Sequence, residues 1–164
     1  MGAVPTKQGE LEMATRGIIA VQRAGGFRGR YVHWDNYPNR MVNVLGNIAK
    51  RDGLTKMVTT LINDNASWSV IDDQQGTEDK GIGYSQKNMI EGYGVVHDDI
   101  DKNDSASWFT EEDTEFAWAE YIYVIRDTGL EVFKVEDREG GAFPVPMELY
   151  AWDTIGLVSD TPSR

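Results

Sequence analysis

The segment Arg30-Tyr31-Val32-His33-Trp34-Asp35-Asn36-Tyr37-Pro38 sets one of the chain's two histidines beside a carboxylate and three aromatic rings. A carboxylate near an imidazole can orient the ring and favour its protonated form, which suits a general base or a pair of metal ligands. On an extended strand, Tyr31, His33 and Asp35 share one face, while Arg28, Arg30, Val32 and Trp34 share the other. His33 and Asp35 then lie roughly 7 Å apart at a ~3.3 Å rise per residue. Contact between them needs a turn at Asp35, which Asn36 and Pro38 favour. The plainer reading makes His33 a hydrogen-bonded residue at a strand end. Metal binding asks for three or more ligands, and His97 is the one other imidazole. The candidate binding residues are therefore Arg16, Arg30, Tyr31, His33, Trp34, Asp35 and Tyr37, with no catalytic residue, metal ligand or cofactor assigned.

Two further stretches carry weaker chemistry. Starting at Asp101, a calcium-type loop would use Asp101, Asn103, Ser105 and Glu112, but Ala106 stands where its sharp turn needs glycine. The flanking helices of such a loop are also missing, so a solvated loop is the better account. Ala24-Gly25-Gly26-Phe27-Arg28-Gly29-Arg30 mixes glycines with arginines in a way that could cradle a phosphate. It falls in a hairpin rather than at a strand-to-helix turn, and a turn with exposed arginines explains it more simply. No Ser-His-Asp order, paired-carboxylate signature or nucleotide-fold motif occurs.

The surrounding elements must position these groups. Thr15–Gln22 and Phe27–Trp34 read as strands joined through Ala24-Gly25-Gly26. Asn39 is placed to cap a helix in which Met41, Val44, Leu45 and Ile48 recur at helical spacing. Asp52-Gly53 breaks it, and Leu54, Met57, Val58 and Leu61 repeat the pattern up to Asn63-Asp64-Asn65. Ser67–Ile71, Gly92–His97, Trp118–Arg126 and Leu130–Val135 read as strands, the last two a hairpin turning at Asp127-Thr128-Gly129. Asp72–Lys80 and Glu136–Gly141 read as polar loops. Pro144-Val145-Pro146 is extended, and Met147–Trp152 fits a last strand or short helix. The expected fold is a single α+β domain over residues 13–164. It has a mostly antiparallel sheet of about five or six strands, with two short helices packed on one face. Residues 1–12 lack apolar periodicity and are expected to be a flexible leader, an expression scar or an upstream start.

Composition narrows the function classes. The 164 residues have 40% hydrophobic side chains and no cysteine, which fits one globular domain and excludes disulfides and Cys-based zinc sites. No run nears the roughly 18 apolar residues of a membrane helix, so a soluble, cytoplasmic protein is expected. The net charge is −11, divided unevenly: residues 1–60 hold nine bases against four acids, and the rest hold seven against 23. A surface of that sign argues against duplex DNA, whose phosphates need cations. Arg16, Arg23, Arg28, Arg30 and Arg40 could still form a local basic face.

Met13-Ala14-Thr15-Arg16-Gly17-Ile18-Ile19, followed by Tyr31-Val32-His33-Trp34-Asp35-Asn36-Tyr37-Pro38 and two helical patterns, resembles a group of small phage and prophage proteins without an assigned activity. These open with a Met-x-Thr-Arg strand and carry a His-Trp-Asp-Gly-Tyr-Pro segment. The likeness spans about residues 13–62. Asn36 stands where the group usually has glycine, and Asn39-Arg40-Met41 where it tends to an acidic residue and a later glycine. The resemblance implies a phage or prophage source and an accessory role in the host cytoplasm. The expected mode of action is binding, to a host protein or to a small ligand such as a nucleotide, in host interaction or anti-defence. No membrane partner is expected, and homo-oligomerisation stays open. The rival readings are a small hydrolase using His33 and Asp35, and a minor structural protein of the particle.

Overall fold

In the computed structural model, residues 15–74, 88–97, 101–113, 115–116 and 118–156 are described. The leader expected over residues 1–12 and most of the loop expected over Asp72–Lys80 lie outside them. β1 (Gly17–Arg23) and β2 (Gly26–Val32) form the expected hairpin, with Gly25 at φ 82° in its turn. Ile18–Val21 of β1 are apolar at every position because both faces of this part of the strand are covered. Ile19 looks toward one core and Ile18 and Ala20 toward the other.

α1 (Pro38–Asp52) and α2 (Leu54–Val58) follow, and α2 runs on into a π-helical turn at Thr59–Asn63. Asn39 does not cap α1. Tyr37 is the N-cap and Pro38 starts the helix, since its fixed φ suits the first turn and its missing N–H would have had no helical acceptor. Lys50 and Arg51 in the last turn complement the helix dipole. Gly53, at φ 88°, breaks the helix where expected.

The remaining strands are β3 (Ser67–Ile71), β4 (Met89–Ile90), β5 (Gly94–Val96), β6 (Phe109–Thr110), β7 (Tyr121–Ile125), β8 (Gly129–Arg138) and β9 (Gly141–Ala151). Among the described residues they make one nine-stranded sheet in the order β4-β5-β3-β2-β1-β7-β8-β9, with β6 pairing the outer part of β2. The pairs β1·β7 and β2·β3 are parallel and the others antiparallel. The helices supply the crossover that a parallel β2–β3 pair requires.

The α+β class and the helix pair between second and third strands match expectation, but there are more strands than five or six. β4 and β6 have two residues each, too few for any period to register. The charged stretch Glu136–Gly141 is not a loop: β8 continues to Arg138, Gly141 opens β9, and Gly140 turns between them at φ 99°. Its charges reflect the exposed end of a hairpin that outruns β7. Pro144 and Pro146 are tolerated because β9 is an edge strand.

One core lies between the helices and the sheet. Met41, Leu45, Ile48, Met57, Leu61 and Ile62 pack on Ile19, Val32, Trp68, Ile71, Tyr123 and Leu130, all fully buried. Each such side chain contributes roughly 1.5–3 kcal/mol. A smaller core covers part of the opposite face, where Phe116 and Ala119 close over Ile18, Ala20, Ile122 and Val124. On the rest of that face, Tyr31 and His33 at the end of β2, Ser67 and Ser69 of β3 and His97 just past β5 form a polar patch. Among the described residues no helix is long and apolar enough to cross a membrane.

Candidate binding site

The polar part of the second face is assembled by strand register. Ser67 of β3 lies opposite Tyr31 of β2, and the His97 N–H donates to the Ser67 carbonyl at 3.1 Å. His97, Ser67 and Tyr31 thus form a row across three strands. One step further, the His33 N–H donates to Trp68 O at 2.9 Å and Trp34 N–H to Ser69 O at 2.8 Å. Continuing the β1–β2 register past Gly17 and Val32 sets Arg16 opposite His33.

The side chains converge accordingly. The rings of His33 and His97 stack at 5.0 Å and 19°, and Trp34 meets His33 edge-on at 4.7 Å. Nδ1 of His33 lies 2.9 Å from Tyr31 Oη, and Nδ1 of His97 lies 3.2 Å from Ser69 Oγ. Each imidazole therefore has one nitrogen committed to a hydroxyl, an arrangement able to donate, accept and stack. Burial raises the Tyr31 phenol above its ordinary value, and the Arg16 guanidinium beside it offsets part of that. Ser67 Oγ, buried beneath the cluster, has no hydrogen-bond partner. A buried hydroxyl left that way is rare enough to mark a place where a ligand or water completes the structure.

Asp35 and Tyr37 do different work. The chain does turn at Asp35, which takes a left-handed conformation at φ 61°. The turn carries Asp35 away from the strand alternation, so His33 Nδ1 meets Tyr31 instead. The Asp35 carbonyl accepts from Arg40 Nη1 at 3.0 Å. Trp34 likewise leaves the alternation, because β2 ends at Val32, and its ring touches His33 rather than the opposite face. Tyr37 serves as the N-cap of α1, its carbonyl accepting from Arg40 and Met41. Between them Asn36 is fully buried: its Nδ2 donates to Thr15 O at 2.8 Å and to Val32 O and Trp34 O, each at 3.1 Å. Tyr123 Oη donates to the Asn36 carbonyl, and burial pushes that phenol up strongly.

Arg30 is on the helix side and fully buried, so it is not open to a ligand. Its Nε donates to Ile62 O at 2.7 Å, Nη1 to Ser107 Oγ at 2.7 Å and Nη2 to Lys102 O at 3.0 Å. The Ile62 carbonyl belongs to the end of the helical segment, where the dipole favours a cation. Loss of hydration lowers the Arg30 pKa to about 10. Arg40 reaches Ile71 O and Asp72, away from Arg23 and Arg28 near the hairpin turn, so the expected basic face does not gather all five arginines.

Arg16 connects the row to a cleft of about 740 Å³, lined also by Phe116, Trp118, Glu120, Lys134 and Arg138. Trp118 is 81% exposed and takes φ 66°, a conformation that a bulky side chain adopts at a cost. In the stretch read as a calcium-type loop, Asp101 and the neighbouring Asp104 are engaged locally instead. Asp101 Oδ1 accepts from Asn103 N–H and Asp104 Oδ1 from Ala106 N–H. Among the described residues no three His, Asp or Glu side chains come together as a metal site would need.

Comparison with protein-family models, curated proteins and solved structures finds no match. Of the candidate residues, Arg16, Tyr31, His33 and Trp34 come together, while Arg30, Asp35 and Tyr37 do not join them. His97 and Trp118 are the additions. His97 was visible as the second histidine, but its partnership follows from strand order, which no local pattern encodes. Trp118 had a strand pattern around it that hid its turn.

Proposed function

We propose that the protein is a phage-encoded accessory protein that acts by binding in the host cytoplasm, in host interaction or anti-defence. The observation that supports this reading best is the convergence of half-buried His33, His97, Tyr31 and Trp34 on one sheet face, joined through Arg16 to the cleft. A cleft of about 740 Å³ suits a small ligand. Arg16, Lys134 and Arg138 in its lining can meet an anionic group and the exposed Trp118 indole a flat ring, as a nucleotide has, while Glu115, Glu120 and Asp137 beside them offset part of that charge. A host protein is the second reading, favoured by the exposure of Trp118. A hydrolase working through His33 and Asp35 draws less support, because Tyr31 rather than Asp35 faces His33 Nδ1.

The test is a thermal-shift screen of a nucleotide panel against the wild type and Arg16→Gln. A ligand at about 100 times its Kd stabilises the folded protein by ~2.7 kcal/mol, a shift of several degrees. The reading expects such a shift for the wild type and its loss in Arg16→Gln. Equal responses in both proteins, or none to any nucleotide, would remove the small-ligand reading.

A further inference from the structure

We propose a second site, separate from the cleft: an oxyanion receptor at the turn end of the β1–β2 hairpin, built on Arg28 with Arg23 beside it, for the phosphate group of a small molecule. Arg40, Arg51, Arg126 and Arg138 each lie within 4.0 Å of a carboxylate. Arg16, Arg23, Arg28 and Arg30 have no such partner among the described residues, although the chain holds 27 acids, and the last three of these stand together.

Their arrangement is ordered. Arg28 and Arg30, two apart on one strand, are separated by ~6.6 Å, the thickness of an indole with a guanidinium on each side. Trp108 fills that gap, its ring centroid 3.6 Å from Arg28 Cζ and 3.3 Å from Arg30 Cζ. Arg30 is fixed by its three hydrogen bonds and so fixes the indole, which in turn holds the Arg28 guanidinium. Arg28 is opposite Val21, and Arg23 follows Val21 on the same face. Three cations therefore line one face from the interior to the turn. Burial and the neighbouring Arg23 both lower the Arg28 pKa, consistent with positive charge that no acid offsets.

The Arg28 guanidinium finds no hydrogen-bond acceptor among the described residues, yet stacking has already limited its freedom. A planar fork held in that way is suited to two parallel bonds to an oxyanion, with little ordering cost left on binding. Glu111, beside the turn, has its Oε1 held by the Phe27 N–H at 2.7 Å. Glu112 and Asp127 line the two hollows flanking Arg23. Those acids oppose a long polyanion such as duplex DNA.

The test follows the Trp108 indole N–H by NMR while the full chain is titrated at constant ionic strength with inorganic phosphate and, separately, a sugar phosphate. The expected result is saturable one-to-one binding, weakened at least about tenfold in Arg28→Gln. Arg23→Gln, an exposed change that leaves folding intact, should weaken it several-fold, and Lys50→Gln should not. Tighter binding of the sugar phosphate would assign an organic phosphoester, and equal affinities free phosphate. Arg28→Gln removes one face of the Trp108 stack, so Arg23→Gln decides the matter if that variant misfolds. An unsaturable response, one matched by sodium chloride, or one indifferent to Arg23→Gln would overturn the proposal, as would tighter binding of a duplex oligonucleotide.

Discussion

The imidazoles of His33 and His97 stack face to face at 5.0 Å, although the helices and β3–β5 separate them in the chain. The pairing exists because β3 lies between β2 and β5, its serines small enough to let the rings meet above them. It turns two histidines that looked unrelated into one surface with Tyr31 and Arg16.

Asn36 holds that surface in register. Its amide ties the residues before β1 to the end of β2, and Gly17 admits it: a Cβ there would lie 2.6 Å from Asn36 Oδ1. Asn36→Ala should lower stability by about 2–3 kcal/mol, because buried carbonyls lose their donor. Urea midpoints would show it; a change under 0.5 kcal/mol would mean that water replaces the amide.

The Arg51–Asp52–Tyr93 cluster predicts two pH limits. Arg51 and Tyr93 hold Asp52 down at about 2, so its contribution is present above the unfolded value near 3.8 and lost as pH falls toward 2. Burial and Asp52 push Tyr93 up to about 12, so its contribution is present below 10 and lost as pH rises through 12. With Arg51 partly exposed, the acid limb is worth on the order of 1 kcal/mol. Urea midpoints against pH should flatten at the acid end in Asp52→Asn and at the alkaline end in Tyr93→Phe. Unchanged limbs would show that the cluster does not couple to folding.

Trp118 combines a left-handed backbone with an exposed ring. Trp118→Gly relieves the conformation and should leave stability unchanged or raise it by about 1 kcal/mol. The same change should abolish ligand-dependent stabilisation if the cleft is used. A loss of more than 1 kcal/mol of stability, read from the shift in thermal midpoint, would make Trp118 a structural residue.

How far the sequence could be read follows from what is local. The β1–β2 hairpin, the helix pair and Ser67–Ile71 carry their periods and breakers within a few residues, and they fold where expected. The α1 start differed because Pro38 at the first helical position outweighs a capping Asn39. Alternation placed Arg28, Arg30 and Val32 on one shared face correctly and failed for Trp34, since the strand had already ended. Arg30 resembled a surface ligand-binding arginine; only the arrival of Trp108, Ser107 and the Ile62 carbonyl from distant segments buries it. His97 and the cleft depend on strand order and hairpin overhang, which are tertiary properties.

The account stands or falls on whether the face shared by His33 and His97 is used for binding. Native mass spectrometry of the protein from a host lysate, run on wild type, His33→Ala and His97→Ala, tests this most directly. A half-exposed pair predicts urea midpoints lowered by only about 1 kcal/mol in either variant. It also predicts one ligand or partner mass on the wild type that both variants lose. The same bound mass on all three proteins, or no bound mass on the wild type, would contradict the account.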